Sequence, residues 1–121
     1  MNIKFLLLIA AAAAAVFLFI FVKSGCSLDS RAVVKEWIDK GALIVDVRTP
    51  EEFTAGHYEG SVNIPLGELE SKIDLFGDKE NHIVVYCRTG NRSGKAEDIL
   101  KKNGYKNVIN GGGLKDMKVT Q

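Results

Sequence analysis

The clearest pattern along this chain is a short apolar run that changes abruptly into a polar loop and then into a helical pattern. Residues 83–86 are apolar and mostly β-branched, as in a strand that is buried on both faces of a parallel sheet. Cys87 follows directly, and residues 88–93 are polar or glycine. Residues 95–102 then repeat apolar side chains at helical spacing. The pattern therefore predicts a strand, a loop and a helix in that order, with Cys87 at the end of the strand.

This placement has chemical consequences for Cys87. In open α/β sheets, ligands bind at the carboxyl ends of the strands. The amino end of a helix carries unpaired N–H groups and a positive dipole end, which favour a negative charge such as a thiolate. Arg88 and Arg92 flank the same position. We therefore predict that Cys87 has a lowered pKa and acts as a nucleophile near neutral pH.

The rest of the chain alternates between strand and helix patterns. Thr49-Pro50-Glu51-Glu52 has the form of a capping box with proline at the first helical position. Elements at this spacing predict a mainly parallel sheet with helices on both faces. Helices are predicted at residues 28–39, just after Pro50 and within 66–77, and further strands at 43–47, 61–64 and 108–109.

The amino-terminal part is of a different kind. Residues 5–22 are eighteen consecutive apolar residues between Lys4 and Lys23. A membrane-spanning helix needs about 17–25 residues and a signal-peptide core about 7–15, so the length favours an uncleaved anchor. Small residues at 24–27 leave open cleavage near Cys26, or lipidation of Cys26, as alternatives.

The expected organisation follows from this segment. Residues 1–27 are predicted to form the anchor or signal segment and residues 28–121 one folded domain. A charged N-terminus that stays in the cytoplasm places the domain in the periplasm or outside, tethered to the membrane, or released there if the segment is cleaved. The net charge of +1 provides no general basic surface, so we expect no nucleic-acid partner.

Two motifs resemble a known family. Cys87-Arg88-Thr89-Gly90-Asn91-Arg92-Ser93 resembles the active-site loop of rhodanese-domain sulfurtransferases. The residues from Ile44 to Arg48, with Glu52-Phe53, Gly56-His57 and Asn63-Ile64-Pro65, resemble the family's other signature. The resemblance starts near residue 28, and the ending from Asn110 to Asp116 is similar to that of small periplasmic members of the phage-shock type.

The resemblance implies a rhodanese-like, doubly wound α/β fold with a mainly parallel sheet of four to five strands, preceded by the hydrophobic N-terminal helix. It also implies Cys87 as the catalytic residue, a substrate-binding loop around it, no cofactor and no metal, and we expect a monomer. The loop residues are Arg88, Thr89, Gly90, Asn91, Arg92 and Ser93.

Individual roles can be assigned to the loop and its surroundings. Arg88 is expected to meet an anionic donor, and Arg92 to brace the loop. Thr89 and Ser93 offer hydroxyl groups. Asp46, at a strand end, either orients an arginine such as Arg92 or Arg48 or caps a turn.

The expected function is sulfur transfer through a persulfide on Cys87. The donor is a small anion such as thiosulfate, and the acceptor is a thiol or a cyanide-like nucleophile. One alternative is a membrane-tethered, non-catalytic sulfur carrier or partner-binding module. Another is a phosphatase or arsenate reductase, but those enzymes use Cys-x5-Arg, whereas Cys87 and Arg92 are spaced as Cys-x4-Arg.

Overall fold

A computed structural model of the protein describes residues 30–118. The predicted anchor or signal segment, residues 1–27, and its Cys26 lie outside the described residues. Between residues 30 and 118, no helix has both the length and the apolar character that a bilayer crossing requires. The division of the chain into 1–27 and 28–121 therefore stays a prediction.

Four strands and four helices alternate along the described part of the chain. Two 3₁₀ turns, Leu66–Glu68 and Ile73–Phe76, lie between the second and third strands. In chain order the other elements are α1 (Ser30–Asp39), β1 (Leu43–Asp46), α2 (Pro50–Ala55), β2 (Val62–Asn63), β3 (His82–Cys87), α3 (Asn91–Lys102), β4 (Asn107–Gly113) and α4 (Leu114–Lys118).

The strands form one sheet in the order β2-β1-β3-β4, and every neighbouring pair is parallel. Because all four strands run in the same direction, their carboxyl ends lie at the same edge of the sheet, and the connections return the chain to the opposite edge. The predicted α/β fold with a parallel sheet is confirmed, with four strands among the described residues. Because β1 and β3 pair with each other, their carboxyl ends lie side by side, with Asp46 in register with Tyr86, the residue before Cys87.

The core consists of two apolar layers, one on each face of the sheet. Alternate residues of β3 enter each layer, because successive side chains of a strand point to opposite faces. Val85 and Cys87 pack with α3 through Ala96 and Leu100. Tyr86 lies in the opposite layer, with α1 and α4. The sheet is therefore covered by helices on both faces, and β3 is buried throughout apart from His82.

The prediction of one amphipathic helix within residues 66–77 is wrong. The structure has two separate 3₁₀ turns there, and Lys72 between them leaves helical geometry with φ −113° and ψ 23°. A 3₁₀ helix has three residues per turn, so Leu66 and Leu69 share one face. Leu69 and Phe76 are fully buried, so the two turns reach the core without a continuous helix.

Two further boundaries differ from the sequence pattern. Helix α3 begins at Asn91, four residues before the apolar periodicity starts, so Arg92 and Ser93 belong to its first turn and not to a loop. Strand β4 continues through three glycines to Gly113. A Cβ at Gly111 would lie 2.6 Å from the sulfur of Met117 and 3.1 Å from a methyl carbon of Val84, so these side chains would have to shift to accommodate it.

Candidate active site

Cys87 is the last residue of β3 and lies opposite Gly113 of β4, next to an irregularity in the register. Only 1% of its surface is exposed. The chain then turns through residues 88–90 and enters α3. Gly90 precedes the helix with φ +97°, a left-handed conformation that favours glycine. The predicted order of strand, turn and helix at Cys87 is therefore present.

Hydrogen-bond donors converge on the sulfur. The N–H of Gly90 donates to Cys87 Sγ over 3.0 Å, and Ser93 Oγ lies 3.4 Å from the same atom. Ser93 is the third residue of α3, whose N–H has no partner within the helix. The turn thus directs the free amino end of the helix toward the sulfur.

These donors change the acidity of Cys87. Burial raises the pKa of the thiol, but hydrogen bonds from the Ser93 hydroxyl and from three backbone N–H groups in residues 89–93 lower it by more. The resulting pKa of Cys87 is lowered from its ordinary value. The site therefore favours the thiolate by hydrogen bonding to the charged form.

The two arginines of the motif have different surroundings. Arg92 is held by Glu52 of α2 in a two-point pair, Nη1 to Oε1 at 2.7 Å and Nη2 to Oε2 at 3.0 Å. The hydrogen bond from Arg92 lowers the pKa of Glu52 to about 2. Arg88 is exposed, and its side chain makes no hydrogen bond or ion pair with residues 30–118. Of the two, Arg88 is the one available to a ligand.

Sequence reasoning missed Glu52 as the partner of Arg92. The predicted capping box is confirmed, with Thr49 Oγ1 accepting from the Glu52 N–H and Glu52 Oε1 facing the Thr49 N–H. Glu52 thus serves as both helix cap and ion-pair partner. No local signal pointed to this ion pair, because it joins positions forty residues apart in the chain.

Asp46 and Arg48 form a closed unit of their own. Asp46 is fully buried and accepts hydrogen bonds from the backbone N–H, the Nε and the Nη2 of Arg48, at 2.6 to 3.0 Å. Arg48 Nη2 also donates to the carbonyl of Gly56 at 2.7 Å. Of the two arginines proposed as partners of Asp46, Arg48 is the one that it contacts.

This pair lies on the other face of the sheet from Cys87. Asp46 is in register with Tyr86, and Arg48 lies over the Tyr86 ring at 5.8 Å. Within residues 30–118, neither Asp46 nor Arg48 makes a side-chain hydrogen bond to the Cys87 turn. The pair instead holds the end of α2, the helix that carries Glu52.

Asn110 of β4 is a second residue that sequence reasoning did not place at the site. Its Nδ2 donates to the Gly90 carbonyl at 2.9 Å. Its Oδ1 accepts from the Gly112 N–H at 2.9 Å and lies 2.7 Å from Ser93 Oγ. The ending from Asn110 to Asp116 was noted for its resemblance, but no local pattern places the amide of Asn110 beside Cys87.

The remaining residues of the motif, Thr89 and Asn91, are exposed at the rim. In the described part of the chain, no group of three or more His, Cys, Asp or Glu side chains is arranged to hold a metal ion. What surrounds Cys87 is a set of hydrogen-bond donors and positive charge. Such an arrangement binds and stabilises small anions, including an anionic sulfur.

The fold and this loop define a family. The profile of the Rhodanese-like domain matches residues 30–118, so the chain belongs to the rhodanese-like domain family. Within it, the chain is 45% identical to the thiosulfate sulfurtransferase PspE of Escherichia coli over 74 residues, which cover 60% of this chain and 71% of PspE. It is also 42% identical to a putative mitochondrial thiosulfate sulfurtransferase of Schizosaccharomyces pombe, covering 60% of this chain and 59% of that protein.

Solved structures give the same assignment. A structure of rhodanese with anions from E. coli matches with a TM-score of 0.60 and 43% identity, over 63% of this chain and 91% of that one. The human single-domain sulfurtransferase TSTD1 matches with a TM-score of 0.64 and 27% identity, over 73% and 91% of the two chains. The predicted family is thereby confirmed.

Proposed function

We propose that this protein is a sulfurtransferase that moves sulfane sulfur from an anionic donor such as thiosulfate to a thiol or cyanide-like acceptor, through a persulfide on Cys87. The observation that carries the proposal is the convergence of the Gly90 N–H and the Ser93 hydroxyl on Cys87 Sγ. Beside them stands Arg88, with no partner among residues 30–118. The site has a stabilised nucleophile and an open positive charge.

In the first half-reaction, the Cys87 thiolate attacks the outer sulfur of thiosulfate. A new S–S bond forms to Cys87, the S–S bond of the donor breaks, and its electron pair leaves with sulfite. In the second half-reaction, the acceptor attacks the terminal sulfur of the persulfide, and the Cys87 thiolate leaves. The persulfide is anionic, so the donors that stabilise the thiolate also stabilise the intermediate.

Arg88 supplies a positive charge for the sulfonate end of the donor, which the groups around the Cys87 sulfur do not contact. Thiosulfate carries negative charge on its sulfonate end, away from the atom that is attacked. The exposed guanidinium of Arg88, next to Cys87 in the chain, suits a two-point contact with such oxygens. The similar E. coli rhodanese structure was solved with anions, and this supports an anionic donor for the present chain.

The phosphatase or arsenate reductase alternative has less support. In the Cys-x5-Arg enzymes the arginine must face the oxyanion. Here the corresponding Arg92 has both terminal nitrogens on Glu52, at 2.7 and 3.0 Å. An arginine whose fork already holds a carboxylate presents little to a second anion.

A non-catalytic sulfur carrier is the second candidate function, because the chain is 40% identical to a putative sulfur carrier protein, YrkF of Bacillus subtilis. Other relatives are tRNA uridine(34) hydroxylases, but this chain covers only 22% of the one from Yersinia enterocolitica. A carrier takes up sulfur once per chain, whereas an enzyme turns over.

Two measurements test the proposal. Intact mass spectrometry after incubation with thiosulfate should show the gain of one sulfur atom, and peptide mapping should place it on Cys87 and not Cys26. Thiocyanate production from thiosulfate and cyanide should then continue well beyond one equivalent. Loading that stops at one equivalent would favour the carrier, and phosphate release from an aryl phosphate without sulfur uptake would favour the phosphatase.

We further propose that residues 5–22 attach the domain to a membrane on the periplasmic or outer side; the support is the length and charge pattern of that segment. Protease added to intact spheroplasts should digest the domain. Full protection until lysis would overturn this orientation. A soluble mature chain beginning near Cys26 would show instead that the segment is removed.

A further inference from the structure

Asn110 occupies a central position beside Cys87 that the proposed reaction does not by itself require. Its side chain joins the turn (Gly90), the first turn of α3 (Ser93) and the end of β4 (Gly112). The orientation of its amide is determined by its partners. The Gly112 N–H can only donate and the Gly90 carbonyl can only accept, so Oδ1 faces Gly112 and Nδ2 faces Gly90.

The Ser93 hydroxyl has a choice of acceptors. It carries a single proton, but two acceptors lie within reach: Asn110 Oδ1 at 2.7 Å and Cys87 Sγ at 3.4 Å. Ser93 is fully buried, so no bulk water competes for that proton. Its direction is therefore decided between the amide and the sulfur.

The charge on the sulfur decides which acceptor is favoured. A hydrogen bond to a charged acceptor is roughly twice as strong as one between neutral groups. When Cys87 is a neutral thiol, the closer Asn110 oxygen is the better acceptor. When the thiol has lost its own proton to solvent, the sulfur becomes the better acceptor. Asn110 Oδ1 still accepts from the Gly112 N–H at 2.9 Å, so turning the hydroxyl leaves no buried oxygen unpaired.

We infer that Asn110 is a positioning residue: its Oδ1 accepts the hydrogen bond of the Ser93 hydroxyl while Cys87 is neutral, and the hydroxyl turns to donate to Sγ when the thiolate or persulfide forms. Through Nδ2, Asn110 also holds the Gly90 carbonyl, which fixes the turn whose N–H donates to Sγ. The inference rests on the proposed function for its biological purpose, but it concerns the protonation of Cys87 and is testable without sulfur transfer.

The first test uses the unmodified full-length chain, so no variant has to fold. The side-chain carbonyl carbon of Asn110 is followed by NMR as the pH is raised through the Cys87 transition. Its shift should change with the same midpoint as Cys87 ionisation, because Oδ1 loses the Ser93 hydrogen bond. The side chain of Asn107, on the same strand but bonded to the Glu80 carbonyl at 2.9 Å, should not follow that midpoint.

Ser93→Ala tests whether the chemical-shift change of Asn110 comes from the reorientation of the Ser93 hydroxyl or only from the electric field of the thiolate. Cys87 still ionises in this variant, but the hydroxyl is gone, so most of the Asn110 shift change should disappear. A change of the same size in Ser93→Ala would overturn the inference, because it would report the field alone. An Asn110 signal that stays constant through the Cys87 transition of the unmodified chain would also overturn it.

The second test measures Cys87 directly. The rate of alkylation by iodoacetamide is determined as a function of pH, with peptide mass spectrometry to separate Cys87 from Cys26. Asn110→Ala removes the neutral oxygen that competes with Sγ for the Ser93 hydroxyl, so the apparent pKa of Cys87 should fall and alkylation at pH values below that pKa should become about threefold to tenfold faster. A raised pKa would mean that Asn110 acts through the Gly90 turn alone, and it would overturn the inference. Asn107→Ala, which removes the matched amide-to-carbonyl bond, should leave the profile unchanged. A folded Asn110→Ala protein with the parent profile would contradict the inference.

Discussion

The Asp46–Arg48 pair and the Cys87 turn lie at the ends of adjacent strands, yet they bind negative charge in opposite ways. The Asp46 carboxylate is fully buried and is met by its own arginine through several N–H groups. The Cys87 sulfur is met by a backbone N–H and a hydroxyl, and the neighbouring cation, Arg88, is left open.

The difference separates a permanent charge from a temporary one. A carboxylate that stays ionised throughout can be neutralised by a buried side-chain partner, and the ion pair then becomes part of the folded core. In the proposed reaction, the Cys87 sulfur accepts, holds and gives up a sulfur atom, and this requires donors that stay in place but do not bind it irreversibly. Backbone N–H groups at a helix start meet this requirement.

Cys87→Ser provides the largest expected effect and tests whether the temporary charge resides on this sulfur. An alcohol is too weakly acidic to supply the anion, so sulfur transfer from thiosulfate should fall to background while the fold is retained. Thiocyanate production and circular dichroism measure the two. Cys26→Ser is the matched control and should keep the parent activity; retained turnover in Cys87→Ser would show that another group carries the sulfur.

Arg48→Ala breaks the permanent pair. It leaves the buried Asp46 carboxylate without its partner, so the free energy of unfolding should fall by about 3–5 kcal/mol. Urea denaturation followed by fluorescence of Trp37 measures it. Arg88→Ala removes the same type of side chain from an exposed position and should change stability by less than about 0.5 kcal/mol. Equal stability losses in the two variants would show that the buried Asp46–Arg48 pair stabilises the fold no more than the exposed Arg88 does.

Arg88→Ala should instead weaken the binding of an anionic sulfur donor. Loss of one charge-assisted hydrogen bond costs about 1.5–3 kcal/mol, which corresponds to roughly a 10- to 100-fold rise in KM for thiosulfate. The change for an uncharged sulfur donor should be smaller. Steady-state kinetics with both donors decide the matter: equal losses would mean that Arg88 shapes the turn and does not bind the anion.

The pair between Glu52 and Arg92 predicts a smaller, pH-dependent effect. The pKa of Glu52 is lowered to about 2 from the ordinary 4.5, so the folded state favours the carboxylate. This stabilisation is fully present above about pH 4.5 and is lost as the pH falls toward 2. Since both side chains are about one-third exposed, the contribution is about 0.5–1 kcal/mol.

Unfolding measured between pH 7 and pH 2 checks this for Glu52→Gln. The variant should be less stable than the parent at pH 7, and the difference should shrink in acid. Glu51→Gln, at the exposed neighbouring position of α2, should follow the parent curve more closely. A Glu52→Gln deficit that is the same at both ends of the range would show that the carboxylate charge contributes nothing.

What the sequence predicted correctly lies within short stretches of chain. The strand before Cys87 and the capping box at Thr49 are both local patterns, and the structure contains them. Local patterns depend on backbone conformation and the period of apolar residues, both of which can be read from neighbours in the chain.

What the sequence did not predict depends on contacts between distant residues. The Glu52–Arg92 pair and the bonds of Asn110 to Gly90 and Ser93 form only after the strands are assembled. The start of α3 was also set too late, since its first turn faces the sulfur and therefore carries polar residues in place of an apolar stripe.

If the protein transfers sulfur as proposed, the close contact between the Cys87 turn and β4 limits how far that sulfur can move. A side chain at Gly113 would collide with the carbonyl of Arg88, so the turn rests on the strand with no layer between them. The turn is therefore packed directly against β4. The reactive atom advances only by the length of one S–S bond, about 2 Å. In the proposed reaction, the acceptor must therefore make up the remaining distance to the buried Cys87.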